Sequence, residues 1–180
     1  IKCSNQLGQV IKENNGTPIM TKTGHSYIKS EISKSNAILG GEMSGHIFYN
    51  DNWYGFDDGI FAALKLLEIL SSKESTTHEV FNKFTQLFNT PEIKIAVEDE
   101  EKFEIVEQLK VKLKPEGYDS ILIDGLRLEN KDCWGLVRAS NTTPSLILRF
   151  EANTEQKLME IQELFQKTLL EISTNLKFLN

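Results

Sequence analysis

The sequence predicts a two-part chain, an α/β unit followed by an α+β unit whose antiparallel sheet carries two helices. Three observations lead there. Through residue 70, helical apolar periodicity alternates with short apolar runs bounded by glycine. Residues 71–91 then break the composition with "SSKESTTHE" and "NTPE". From residue 93 onward the pattern reads strand, helix, several strands, helix. The boundary falls at Asn89 to Pro91, giving units over residues 1–88 and 91–180.

In the first unit, Leu7, Val10 and Ile11 recur at helical spacing after Ser4, a residue suited to an N-cap, and Asn14-Asn15-Gly16 ends the run. Tyr27, Ile28 and Ile32 mark a second short helix. "AILGGEM" reads as a buried strand, short, apolar and bounded by glycines. Asp57-Asp58 opens a helix carrying Ile60, Phe61, Leu64, Leu67 and Leu70, apolar on most sides as expected when it packs on a sheet. Helices alternating with buried strands imply an α/β/α layer with a parallel sheet, and so few strands imply part of such a domain. A further short helix is expected through Phe81, Phe84 and Phe88.

In the second unit, Ile93 to Val97 is a strand and Phe103, Val106, Leu109 and Leu113 line a helix. "SILIDGLRLE" reads as a hairpin with Asp124-Gly125 as its type I′ turn. Trp134 to Ala139 and Ser145 to Ala152 are further strands; in the latter, Leu146, Leu148 and Phe150 alternate with Ile147, Arg149 and Glu151. Thr154 opens a last helix with Leu158, Ile161, Phe165, Leu169 and Ile172 on one face.

Composition narrows the function classes. The net charge of −6, with three Arg against seventeen Lys, argues against a nucleic-acid or anionic-membrane partner, either of which needs a concentrated basic face. The absence of an apolar run near 18 residues argues against a membrane span. Cys3 and Cys133 have neither metal nor disulfide spacing, which suits a reducing, cytoplasmic setting. No phosphate-binding P-loop, Ser/His/Asp order, Cys/His nucleophile pattern or Asp-x-Asp cluster is present.

Three stretches carry candidate chemistry. In "GGEMSGH", an extended backbone would put Glu42, Ser44 and His46 on one side, where they can exchange hydrogen bonds with the hydroxyls of a sugar ring. Spacing alone leaves a polar turn equally open. One His and one Glu are too few for a metal site, and none is assigned. In "RASNTTP", Arg138 followed by Ser140, Asn141, Thr142 and Thr143 offers a guanidinium fork, hydroxyls and loop amides suited to a phosphate, or else a turn rich in turn-forming residues. In "TKTGHS", His25 or Lys22 precedes a helix whose N-terminus favours anions, though a lone His there is more simply solvated. The charge runs "EDEEKFE" and "KVKLK" read as solvated helix faces.

Together "TGHS", "GGEMSGH", "WYGFDDGIFAALKLLEIL" and "WGLVRASNTTPSLILRFEA" resemble the C-terminal part of the α-D-phosphohexomutases, of the bacterial phosphomannomutase/phosphoglucomutase group. The motifs run in order through nearly the whole chain. Glucosamine-phosphate mutases typically have Gln where Met43 stands and Ser-Gly-Thr where this chain has Ser140-Asn141-Thr142. The resemblance implies most of a third, sugar-recognising domain without its first strand, then a fourth, phosphate-binding domain with a TATA-box-binding-protein-like fold. It implies that Glu42 and Ser44 bond the sugar's 3- and 4-hydroxyls, with His46 beside the reaction centre. It likewise implies that His25 helps position substrate or phosphate and that Lys2 assists proton transfer. Arg138, Ser140, Asn141 and Thr142 would hold the phosphate that is not reacting.

The implied reaction interconverts mannose or glucose 1- and 6-phosphates through a phosphoserine and a hexose 1,6-bisphosphate that serves as intermediate and activator. Mg²⁺ is implied for the full-length enzyme, held by ligands outside this chain, as is a monomer or weak dimer. Lacking the phosphoserine and metal loops, the chain is expected to be a fragment, inactive alone. The alternatives are a non-catalytic sugar-phosphate-binding module and, more remotely, nucleic-acid binding by the second unit.

Overall fold

A computed structural model describes residues 1–178. The chain forms two compact units, Ile1–Gln86 and the residues from Leu87 onward.

The first unit opens with α1 (Asn5–Glu13), capped by Ser4, whose hydroxyl accepts from the Gln6 amide. Next come α2 (His25–Ser35), the short strands β1 (Leu39–Gly41) and β2 (Ile47–Tyr49), α3 (Gly59–Ser71) and α4 (Thr77–Phe81). The two strands pair antiparallel, with Gly40 opposite Phe48. The expected parallel pairing is therefore absent among the described residues, because the strands follow directly on one another through a tight hairpin. Ile28 and Ile32 of α2 bury against Phe48. A Cβ on Gly40 would lie 2.7 Å from Ile28, so glycine is what lets β1 lie against α2.

α3 starts as the sequence requires, with Asp58 Oδ1 accepting from the Phe61 amide at 2.9 Å. The rest of that expectation needs correction. None of its residues is buried, and Ile60, Leu64 and Leu67 are 79%, 59% and 60% exposed. Two three-residue strands offer too little surface to cover a 13-residue apolar helix. α4 ends at Phe81, leaving Phe84 outside it, and Phe88 sits in a strand instead.

The second unit comprises β3 (Phe88–Asn89), β4 (Ile93–Ala96), α5 (Glu101–Lys112), β5 (Asp119–Ile121), β6 (Leu126–Glu129), β7 (Cys133–Ala139), β8 (Ser145–Ala152) and α6 (Glu155–Ile172). The antiparallel sheet runs β3-β8-β7-β6-β5, and β4 also pairs with β8. β3 and β4 lie along one edge of β8, interrupted at Pro91, which has no amide to donate. Leu126, Leu128, Val137, Leu148 and Phe150 share one core with Ile105, Val106 and Leu109 of α5 and Ile161, Phe165 and Leu169 of α6. On α5 and at its C-cap, Val106, Leu109 and Leu113 are buried as expected, but Phe103 is 56% exposed, whereas Lys102, read as part of a solvated run, is 4% exposed.

Both sets of alternating residues in β8 include buried members. Glu151 is buried and accepts from Trp134 Nε1 at 2.8 Å, and the Arg127 guanidinium stacks 3.9 Å from the Trp134 ring. The β5–β6 hairpin forms, but not with a two-residue I′ turn. Ile121 pairs with Arg127, so five residues intervene, and Gly125 (φ +84°) serves another purpose described below.

Candidate functional site

In the first unit, "GEMSGH" is the hairpin turn itself. The Glu42 amide donates to the His46 carbonyl (2.9 Å) and the Gly45 amide donates back to the Glu42 carbonyl (3.0 Å). Gly45 takes φ +90°, the left-handed position of a three-residue hairpin loop, which glycine adopts without strain. The extended alternation expected for Glu42, Ser44 and His46 is thus replaced by a turn, yet the turn still gathers polar groups. Ser44 Oγ donates to Glu42 Oε2 at 3.1 Å, and Glu42 Oε1 accepts from the Gly24 amide at 2.8 Å. The carboxylate therefore ties the "TGHS" stretch to the hairpin. His25 is the first residue of α2, where the first-turn amides have no intrahelical acceptor.

A small cavity of about 20 Å³ is lined by Lys2, Thr23, Glu42 and Met43, among others. His46 turns to a different partner: its Nδ1 is 2.6 Å from Asp57 Oδ2. In the neutral ring this contact favours the tautomer with the proton on Nδ1, in which Nε2 is an acceptor. Asp57 was legible in the sequence only as a helix start. The backbone bridge between Phe48 and Asp57 brings it back beside the hairpin.

In the second unit, Arg138 is buried on β7 and donates from Nε to Asp124 Oδ2 at 2.9 Å. The loop after β7 folds around Ser140, whose Oγ accepts from the Thr142 amide (3.3 Å), the Thr143 amide (3.1 Å) and Thr143 Oγ1 (2.8 Å). Buried Lys102 donates to the Thr143 carbonyl at 3.3 Å and pairs with Asp99 at 2.6 Å. Arg138 and Ser140 are thus fixed, while Asn141 and Thr142 are exposed at the loop tip. From sequence Asp124 was read only as a turn residue and Lys102 only as part of a charged run, because the topology rather than local spacing brings them to this loop.

The comparisons with known proteins follow this division. Residues 1–88 match the family model described as phosphoglucomutase/phosphomannomutase, alpha/beta/alpha domain III. Residues 92–167 match that described as phosphoglucomutase/phosphomannomutase, C-terminal domain. The chain belongs to the phosphoglucomutase/phosphomannomutase family.

Within that family, the chain is 48% identical over 176 residues to a phosphomannomutase/phosphoglucomutase of Pseudomonas syringae. It is 47% identical over 178 residues to a phosphoglucomutase of Neisseria meningitidis. Each match covers 98% of this chain but 38% of the relative. A phosphoglucomutase/phosphomannomutase family protein of Burkholderia thailandensis superposes with a TM-score of 0.89 at 39% identity, again over 98% of this chain and 38% of that one. The chain thus spans a little over a third of the length of these mutase relatives. No helix among the described residues is long and apolar enough to cross a membrane.

Proposed function

We propose that this chain supplies the sugar grip and the phosphate grip of a phosphomannomutase/phosphoglucomutase acting on the 1- and 6-phosphates of mannose and glucose. The observation that carries the reading is the Glu42 carboxylate, joined at once to the Gly24 amide and the Ser44 hydroxyl. It makes two separately recognisable motifs into one polar surface. Glu42 and Ser44 bond the 3- and 4-hydroxyls of the hexose, Lys2 and His25 flank them, and His46 takes the proton. Arg138, Ser140, Asn141 and Thr142 hold the phosphate that is not reacting.

The reaction is two phosphoryl transfers. The free hydroxyl of a hexose monophosphate attacks a phosphoserine phosphorus; the new O–P bond forms as the serine–phosphorus bond breaks, and the hydroxyl proton passes to His46 Nε2. The resulting 1,6-bisphosphate turns round, and the serine oxygen takes its other phosphate as that sugar O–P bond breaks, the freed sugar oxygen taking the proton back from His46 Nε2. Such chemistry asks these residues chiefly for positioning and charge stabilisation. Contacts to the 3- and 4-hydroxyls survive the turn because it roughly exchanges them. They leave the 2-hydroxyl unread, so both epimers fit. The resemblance also implies Mg²⁺. Among the described residues, no three His, Cys, Asp or Glu side chains come together to hold it, so these residues do not fit the ion and no step here runs through it. A cytoplasmic setting belongs to the same reading, supported by Cys3 and Cys133 forming no disulfide.

The test is a titration of the 180-residue chain with mannose 1-phosphate, followed by amide resonances and by a coupled turnover assay. Shifts at residues 42–46 and 140–143 without turnover are the expected result. Arg138→Ala lowers affinity by roughly 10- to 150-fold, the equivalent of the ~1.5–3 kcal/mol of a charge-assisted hydrogen bond. Unchanged affinity removes Arg138 from the site. Turnover at ordinary enzyme rates by this chain alone overturns the reading that the phosphoryl donor lies outside these residues.

A further inference from the structure

The loop between β5 and β6 makes a contact that the sugar and phosphate motifs do not explain. Gly125 lies directly on the β7 backbone: a Cβ there would fall 2.2 Å from the Val137 carbonyl oxygen and 2.7 Å from Arg138 Cα. No other residue permits this approach, and φ +84° disfavours one on conformational grounds as well. The preceding residue is Asp124, whose Oδ2 accepts a hydrogen bond from Arg138 Nε at 2.9 Å, with the two side chains 15% and 6% exposed. The Asp-Gly pair therefore acts as a brace on an arginine.

A guanidinium can meet a phosphate side-on, through Nε and one Nη, or end-on, through both Nη groups. A carboxylate on Nε closes the first mode and leaves the second. On the far side of the loop, Lys102 holds the Thr143 carbonyl, and Ser140 Oγ gathers the Thr142 and Thr143 amides. The loop and the arginine are thus both fixed without any ligand, which lowers the cost of ordering them on binding.

We infer that Asp124 is a positioning residue for the phosphate grip, holding Arg138 so that it binds a phosphate monoester end-on through its two Nη groups. The inference rests on the proposed function, in which Arg138 binds phosphate. It opposes simple electrostatics, since removing Asp124 makes the site one charge more positive and on that ground alone would tighten anion binding.

The experiment titrates the 180-residue chain and its variants with inorganic phosphate and with mannose 1-phosphate, following the 141–143 amides and the Arg138 Nε–Hε signal. Asp124→Ala is expected to weaken binding of either ligand by about tenfold, as loss of an outer-shell partner commonly does. It is also expected to speed exchange of the Arg138 Nε–H with water. In an Arg138→Lys background the same substitution is expected not to weaken binding, because lysine has no Nε–H fork to orient and the site only gains positive charge. Equal or tighter binding in Asp124→Ala overturns the inference, as does equal weakening in the Arg138→Lys background. Should Asp124→Ala fail to fold, Asp124→Asn keeps the shape and removes the charge; fast Nε–H exchange with full affinity in that variant also overturns it. If the wild-type loop shifts with neither ligand, the phosphate reading itself falls, a result distinct from a wild type that binds and an Asp124 variant that binds as well.

Discussion

At the scale of single residues, the informative groups are carboxylates that hold other functional groups in place. Asp57 and Asp124 each accept from a nitrogen of a candidate site residue, at 2.6 and 2.9 Å, and Glu42 bridges a backbone amide and a hydroxyl. For His46 the contact favours one tautomer of the neutral ring. Asp57→Asn is expected to shift neutral His46 toward the Nε2–H form, read from its ring ¹⁵N resonances in this chain. In a full-length mutase carrying the phosphoserine, the same change lowers kcat by ~10²–10⁴-fold, the usual worth of a general base, with KM little altered. An unchanged tautomer ratio counts against Asp57 as the orienting group. From sequence, Glu42, Ser44, His46 and Arg138 stood out as candidates, because polar groups between glycines and one of only three arginines in a Lys-rich chain are conspicuous. Asp57 and Asp124 were not, since each sits 11 or 14 positions from its partner, and only chain folding makes them neighbours.

Among the elements, strand and helix identities in the second unit followed from period and capping residues. Ser145–Ala152 and the Thr154 cap stand where they were expected. What failed was turn chemistry. Asp124-Gly125 carries the signature of a two-residue hairpin, but the glycine is needed for close approach to β7, and the loop is correspondingly longer. A second inter-element contact carries a pH prediction. Tyr118 Oη lies 3.6 Å from Cys133 Sγ of β7, and burial first, then this bond, pushes the phenol up to about 12. Burial pushes the Cys133 thiol up as well. The folded chain thus keeps a phenolic proton that the unfolded chain releases above its ordinary pKa of 10.0. The resulting stabilisation is complete below that value and is lost as pH rises toward about 12. Tyr118→Phe is expected to flatten the alkaline fall of the urea midpoint between those values. An identical pH slope in both proteins would remove Tyr118 as a source of it.

For the whole molecule, the two units differ in how much they bury. The second has a continuous core from Ile95 to Leu176 across two helices and a sheet, whereas the first closes Ile28, Ile32 and Phe48 beneath a two-stranded hairpin. Stability should be uneven in the same sense. Amides of β7 and β8 are expected to exchange slowest, and those of β1, β2 and α3 to exchange first and lose structure at lower urea. Phe48→Ala, which removes a fully buried ring at a typical cost of ~3–5 kcal/mol, should unfold the first unit while leaving the second unit's spectrum in place. A single transition for both units, moved as a whole by Phe48→Ala, would contradict this. The sequence by itself determined most of the helices, the longer strands of the second unit and the motifs that mark the mutase family. Those depend on local periodicity, caps and short polar runs, which the chain displays residue by residue. Only the tertiary structure decided that β1 and β2 pair antiparallel, that "GEMSGH" is a turn rather than a strand, and that Asp57 and Asp124 hold His46 and Arg138. Pairing direction and partnership between distant side chains depend on which surfaces meet, and local sequence does not encode that directly.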